Sequence, residues 1–329
     1  MPRILFVRSR GASFIELDRD LLSERYEVRD LHQPGRMANP FSVLRAVRSC
    51  DVVVGWWASW HTLWPITLAW MLRRPSVLIV GGIDTANLPE IGYGYQRGGM
   101  QKWASRWIMR RAGVLATNSR YSRDEIERNI GIAAERVTVT YHGVPDPFGA
   151  LPPGERERIA LTVGAVDRRN LERKGLRSFV QAAAELPDVD FVLAGEWVDD
   201  AVDELRSIAP ANVRLTGWIG DEELLDLYRR ASVYVQASQH EGFGVSVAEA
   251  MLAGTIPVVS ASGALPEVVG DTSVQLEGTA PQQVAAGVRS ALALDPSTRA
   301  RARERVLREF SVDERRRALY ELVDRALTG

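Results

Sequence analysis

Two glutamates eight residues apart, Glu241 and Glu249, stand in the stretch QHEGFGVSVAEAMLAG, residues 239–254. Three kinds of chemistry fit such a pair: a general acid and base, a clamp on a polar ligand, or two solvated helix acids. The β-rich run at 233–236 leads into residues 239–244, and an apolar helical pattern starts near Gly244. Glu241 is then expected in a strand-to-helix loop and Glu249 about a turn inside the helix. Free amides at that helix start, with Gly242 and Gly244 leaving the backbone bare beside Phe243 and Val245, make an anion site. Acids flanking a phosphate are poor nucleophiles toward it, and are better suited to accept hydrogen bonds from sugar hydroxyls.

A cation for that anion is singled out by composition. Of 41 basic residues only Lys102 and Lys174 are lysine, so Lys174 marks a place where a compact point charge is needed. Other chemistries find little support. The first strand is followed by RSRGASF, which lacks the G-x-G-x-x-G of a dinucleotide site, although Asp30 ends the second strand where a ribose-binding acid would stand. Gly11 is either a plain turn glycine or a point of close backbone approach for a donor phosphate. The four histidines are scattered, and Asp188 and Asp190, a D-x-D pair, fall at the amino end of a strand, so no metal is expected.

These residues need a scaffold, and the chain supplies one twice. Short β-rich runs alternate with helical patterns, the mark of parallel sheets. Strands are expected at 3–8, 26–30, 51–55, 76–80, 113–116 and 136–140, with helices at 13–22, 40–49, 62–73, 100–111 and 122–129. Residues 144–158, VPDPFGALPPGERER, read as a hinge. The pattern restarts with strands at 159–163, 190–193, 213–216, 233–236 and 256–259 and helices at 174–186, 199–208, 221–230 and 244–253. From 281 onward the chain is helical, broken near 295–296 and 311. Two Rossmann-like α/β domains result, 1–150 and 151–311, with helix 312–329 a candidate to pack back on the first.

Bulk properties narrow the partners. A formal net charge of -1 argues against nucleic acid, and a single cysteine, Cys50, points to a reducing cytoplasm. Residues 52–72 carry no charge and five of the nine tryptophans, long enough to span a membrane, but His61 and Pro65 divide them into a buried strand and a buried helix. The helix at 100–111, MQKWASRWIMRR, sets Lys102, Arg106 and Arg110 beside Trp103 and Trp107. That pattern fits either a packed surface helix or peripheral contact with the inner face of a membrane.

EGFGVSVAEAMLAGTIPVV resembles the E-x(7)-E region of family-4 retaining glycosyltransferases of GT-B architecture. LTVGAVDRRNLERKGLRSFV is similar to that family's strand, loop and helix with its Lys-Gly phosphate clamp. VRLTGWIGDEELLDLYRRASVYVQAS, TNSRYSRDEI and YHGVPDPF extend the likeness over about residues 113–270. The resemblance implies two facing Rossmann-like domains with a cleft between them. It implies that Glu249 holds the ribose of a nucleoside diphosphate sugar and Glu241 the transferred sugar. The backbone of residues 243–245 and Trp218 would belong to the donor site, and Lys174 would neutralise the leaving diphosphate. Relatives carry an arginine where this chain has Ala165, leaving Arg168, Arg169 or Arg173 to supply the second charge. They also place a histidine near the strand end at 80; here Asp84 is a candidate to deprotonate or orient an acceptor hydroxyl, or else to stabilise its own turn. The function expected is metal-independent retaining transfer of a hexose-type unit to a glycan, lipid-linked or small-molecule hydroxyl. An epimerase of the same architecture, or a non-catalytic nucleotide-sugar-binding subunit, are the alternatives.

Overall fold

A computed structural model describes residues 1–9, 11–33, 39–150 and 156–329. The expected domain boundary at 150/151 and the middle of the hinge fall on 151–155, outside the described residues. The first half runs β1 (Arg3–Arg8), α1 (Ser13–Ser23), β2 (Glu27–His32), α2 (Pro40–Arg48), β3 (Val52–Trp56), α3 (Trp60–Met71), β4 (Ser76–Val80), α4 (Gly99–Arg111), β5 (Val114–Thr117), α5 (Arg120–Ile130) and β6 (Val137–Val139). Its six strands are all parallel, in the order β2-β1-β3-β4-β5-β6. The central strands VVVGW and SVLIV are buried along their whole length, as strands covered by helices on both faces must be.

The second half runs β7 (Glu157–Val163), α6 (Arg168–Arg173), α7 (Leu176–Ala182), β8 (Asp190–Ala194), α8 (Ala201–Ile208), β9 (Val213–Gly217), α9 (Asp221–Arg230), β10 (Ala231–Gln236), α10 (Val245–Leu252), β11 (Ile256–Ser260), α11 (Leu265–Val269), β12 (Val274–Leu276), α12 (Pro281–Leu292), α13 (Ser297–Glu309) and α14 (Val312–Thr328). A second parallel sheet follows the order β12-β11-β10-β7-β8-β9. The chain divides into two compact units, Met1–Gly143 with Ser311–Gly329, and Val144–Phe310.

Helix α14 belongs to the first unit. Leu319, Leu322 and Val323 join Ile15, Leu22 and Trp56 in one buried cluster. Beneath them Arg315 and Asp18, side chains 0% and 1% exposed, form a two-pronged ion pair at 2.8 and 2.6 Å. Arg315 also donates to the Thr140 carbonyl and hydroxyl, both at 3.0 Å, and Asp18 accepts from Trp56 Nε1 at 3.0 Å. A buried pair is tolerated when its remaining hydrogen-bonding capacity is satisfied in this way.

Four elements differ from sequence expectation. Residues 168–173, expected as loop, form α6, because Asp167 caps them by accepting from the Asn170 amide at 2.7 Å. The following helix starts at Leu176 instead of 174, since Gly175 takes φ +66° and breaks the run. Helix α11 and strand β12 carried no periodic signal; at five and three residues they are too short to show one. The run 52–72 divides into β3 and the 12-residue α3, and among the described residues no helix is long and apolar enough to cross a membrane.

Candidate functional site

The strand order locates the site before any side chain is considered. In the second unit the chain goes outward from β7 through β8 to β9, then crosses back to β10 on the other side of β7. The carboxyl ends of β7 and β10 therefore flank a topological switch point, where open α/β sheets bind ligands. The loops leaving those two strands carry Lys174 and Glu241.

Both side chains arrive by local chemistry. Gly164, just past β7, has no side chain; a Cβ there would fall 2.9 Å from Lys174 Cδ, so the glycine lets the lysine lie across the strand end. Lys174 Nζ comes to 3.5 Å from Glu241 Oε1, and Arg173 Nη1 approaches the same oxygen at 3.5 Å. Gln236 Nε2 and Ser238 Oγ donate to that oxygen too, each at 3.2 Å. Burial alone would raise the Glu241 carboxyl, but Lys174, Arg173 and His240 outweigh it and hold the group below its ordinary value. Glu241 is thus favoured in its ionised form, the form that accepts hydrogen bonds.

Of the three candidate arginines, geometry selects Arg173. Its Nε and Nη2 donate to Asn170 Oδ1 at 3.1 and 2.9 Å, and Nη1 to the His240 carbonyl at 3.2 Å. Asn170 is fixed in turn by donating to the Ala165 carbonyl at 2.9 Å and to Asp167 Oδ2 at 3.0 Å. Arg168 is exposed and paired with Asp200, and Arg169 is exposed as well. Arg173 is thus the one of the three with its guanidinium beside Glu241.

Helix α10 completes the pole. Gly244 sits at φ +105°, and a Cβ on it would meet Leu265 Cδ2 at 2.9 Å. Its carbonyl accepts from the Val247 and Ala248 amides, leaving those of Val245 and Ser246 at the head of the helix. Gly242 is buried, and the Phe243 ring packs edge-on against Phe310 at 5.2 Å, so only their backbone can serve a ligand. Glu249, half-buried one turn inside, accepts from Tyr228 Oη at 3.1 Å. Burial pushes its carboxyl up to about 7, the Tyr228 hydroxyl opposing and Asp221 adding slightly. Trp218 follows β9 on the same edge and is 76% exposed. Sequence reasoning missed Asn170, Tyr228, Gln236 and Ser238; only Asn170, three residues before Arg173 on one helical face, offered a signal.

In the first unit the switch point lies between β1 and β3. Gly11 stands in the loop after β1, but Arg8 there is already matched by Asp30 at 2.6 Å and by Glu16. Glu16, in the first turn of α1, opposes an anion, so the phosphate role of Gly11 gains no support. Asp84 needs correction as a catalytic base. It is fully buried, with Oδ1 accepting from Gly81 N at 2.9 Å and Oδ2 from Ala58 N at 3.0 Å. Burial raises its carboxyl to about 7 against those bonds, but no acceptor can touch it. Asp84 ties the loops after β3 and β4 together.

The D-x-D pair lies at the amino end of β8, Asp188 bound to Arg158 at 2.7 Å. Among the described residues no group of three or more His, Cys, Asp or Glu could hold a metal ion. In α4, Arg106 donates to Gln96 Oε1 at 3.1 Å and to the Asn129 carbonyl, and Arg110 to the Ile130 carbonyl at 2.7 Å. These two cations cap the end of α5 and do not form an outward stripe with Lys102.

Two α/β units, each built on a six-stranded parallel sheet, the second with two cations converging on Glu241 at its switch point, have the GT-B architecture. Residues 148–308 match the family described as glycosyl transferases group 1, and residues 5–146 match glycosyltransferase family 4. The chain belongs to the family-4 glycosyltransferases. It is 33% identical over 179 residues to the O-antigen chain mannosyltransferase B of Escherichia coli, covering 50% of this chain and 47% of that one. It is 30% identical over 269 residues to a glycogen synthase of Mycobacterium tuberculosis, covering 73% and 63%. The chain thus spans less than two thirds of the length of these curated relatives. Among solved structures, the Anabaena protein Alr3699/HepE in complex with UDP and glucose superposes with a TM-score of 0.77 at 17% identity, covering 99% and 100%.

Proposed function

We propose that this chain is a retaining glycosyltransferase that moves a sugar from a nucleoside diphosphate sugar to a hydroxyl acceptor. The observation that carries this reading is the meeting of Lys174 and Arg173 on one oxygen of Glu241 at the head of α10. A diphosphate bridging those cations and the Val245 and Ser246 amides would be stabilised most as its negative charge grows, when the bond from the anomeric carbon to the phosphate oxygen loosens. The electron pair leaves with the diphosphate, the acceptor oxygen bonds the anomeric carbon on the same face, and its proton passes to the departing phosphate oxygen. No protein base is then required, consistent with the burial of Asp84. Glu241 and Glu249 accept from hydroxyls of the sugar and of the ribose, and Trp218 offers an open ring for the base. Metal independence is part of the proposal, the cations supplying the charge a divalent ion would otherwise bring. Peripheral contact with the inner face of a membrane, and with it a lipid-linked acceptor, belongs to the same reading.

Calorimetric titration of nucleoside diphosphates with and without EDTA tests it. Binding of one base at unchanged affinity in EDTA is expected. Affinity lost in EDTA would sink the metal-free pole, and no nucleotide binding at all would sink the donor assignment.

A further inference from the structure

At the amino edge of the first unit's sheet, opposite its switch point, lies a cavity of about 610 Å³. Met109, Leu115 and Ile132 contribute apolar wall, while four arginines, Arg73, Arg74, Arg136 and Arg325, line it with a single acid, Glu135. Among the described residues none of the four is in an ion pair; Arg325 donates to Thr138 Oγ1 at 2.6 Å and Arg74 only to the Arg48 carbonyl at 3.4 Å. Four guanidinium groups therefore face one hollow with a single carboxylate among them, an excess of positive charge that suits an anion.

The backbone adds a second observation. Helix α3 ends in a Schellman turn, Arg74 N donating to the Ala69 carbonyl at 2.8 Å and Arg73 N to the Trp70 carbonyl at 3.2 Å. Arg73 holds the left-handed position of that turn, φ +52°, where glycine is the unstrained choice. The side chain is kept at a backbone cost, and an outlier of this kind points to use of what it carries.

The surface beside the cavity says what is used. Trp70 and Met71, immediately before the arginines, are 51% and 64% exposed, and Trp103 on α4 is 55% exposed. Trp103 stacks on Trp107 at 5.4 Å, and the Arg111 guanidinium lies 3.0 Å from the Trp107 ring centre and 4.9 Å from that of Trp70. A soluble phosphate ester would need the arginines but not an exposed aromatic and methionine face continuous with them. Aromatic rings and cations together suit the headgroup layer of a bilayer.

We propose that the arginine-lined cavity is a binding site for the phosphate headgroup of an anionic phospholipid, with Trp70, Met71 and Trp103 entering the bilayer beside it. This rests on the peripheral contact proposed above and gives it a site, a partner chemistry and an orientation through α3 as well as α4. Anionic lipid attracts each such basic residue near the surface, and the attraction weakens as salt rises.

The test is co-sedimentation of the full chain with phosphatidylcholine vesicles, with and without phosphatidylglycerol. Binding only to the anionic vesicles is expected, falling as salt is raised. Arg73→Gly combined with Arg136→Glu should weaken it about tenfold or more, while affinity for uridine diphosphate stays as in the parent. Arg73→Gly relieves the strained turn and Arg136 is exposed, and an unchanged thermal unfolding midpoint of the double variant separates loss of binding from unfolding. Equal binding to neutral vesicles, untouched by the double variant, would overturn the cavity as the site but leave a membrane contact through α4. No binding to either vesicle would overturn both. Binding of glycerol 3-phosphate without vesicle binding would mark the cavity as a soluble-phosphate site and overturn the lipid assignment.

Discussion

Glu249 is half-buried with one hydrogen bond, from Tyr228, and burial sets its carboxyl at about 7 against an ordinary 4.5. The folded protein therefore holds a proton that the unfolded chain has lost between those values, so stability falls as pH rises from about 4.5 to about 7. Asp84, also raised to about 7, acts in the same direction. Glu249→Gln keeps an acceptor for Tyr228 and removes the ionisation; it should gain about 1–3 kcal/mol at pH 8 and little at pH 4 in urea unfolding. The proposed ribose contact favours the ionised form, so nucleoside diphosphate affinity should rise with pH through about 7 in the parent and stay flat in Glu249→Gln. Calorimetry at pH 6 and 8 decides, and a flat parent would remove Glu249 from the donor site. At the phosphate end, Lys174→Ala and Arg173→Ala should each weaken that affinity about 10- to 100-fold, the value of a charge-assisted hydrogen bond. Arg168→Ala, bound outward to Asp200, should leave it unchanged.

Helix α6 shows how an element only six residues long moves a charge. Asp167 starts the helix, Asn170 is tied to the Ala165 carbonyl, and the next turn presents Arg173 against the Asn170 side chain. Asn170→Ala should cost about 1–2 kcal/mol, and lower donor affinity about tenfold while Lys174 stays in place; donor affinity equal to the parent would show that Arg173 needs no such support. Much of the scaffold was legible beforehand, because buried parallel strands and amphipathic helices write their periods plainly, as in VVVGW and DEELLDLYRR. The strand-to-helix turn with Glu241 and Gly244 was legible from residue type and order, composition singled out Lys174, and its place beside them was implied by the family resemblance. What could not be read were contacts set by tertiary placement. Arg106 and Arg110 look like a surface stripe until α5 ends beside them, and Asp84 looks like a base until two amides close on it. Choosing Arg173 over Arg168 and Arg169 likewise required the fold of α6.

At the scale of the whole molecule, the last helix completes a unit begun at residue 1. The Asp18–Arg315 pair is joined by Tyr26 Oη donating to Asp324 at 2.9 Å and by Arg316 Nε donating to Glu24 at 2.8 Å. Arg315→Met would strand a buried carboxylate and should destabilise the first unit by about 3–5 kcal/mol, whereas adding Asp18→Leu should recover most of the loss. Seven of the nine tryptophans lie in that unit, at 56, 57, 60, 64, 70, 103 and 107, so intrinsic fluorescence follows its unfolding. A single variant as stable as the parent would mean that the pair holds nothing together.

The scarcity of lysine has a spectroscopic consequence. Reductive methylation with isotope-labelled formaldehyde would place probes on two side-chain amines in the described fold, Lys102 on α4 and Lys174 beside Glu241. One resonance would sit within the proposed donor site and the other on α4, so a single spectrum could follow nucleotide occupancy and the proposed membrane contact at once.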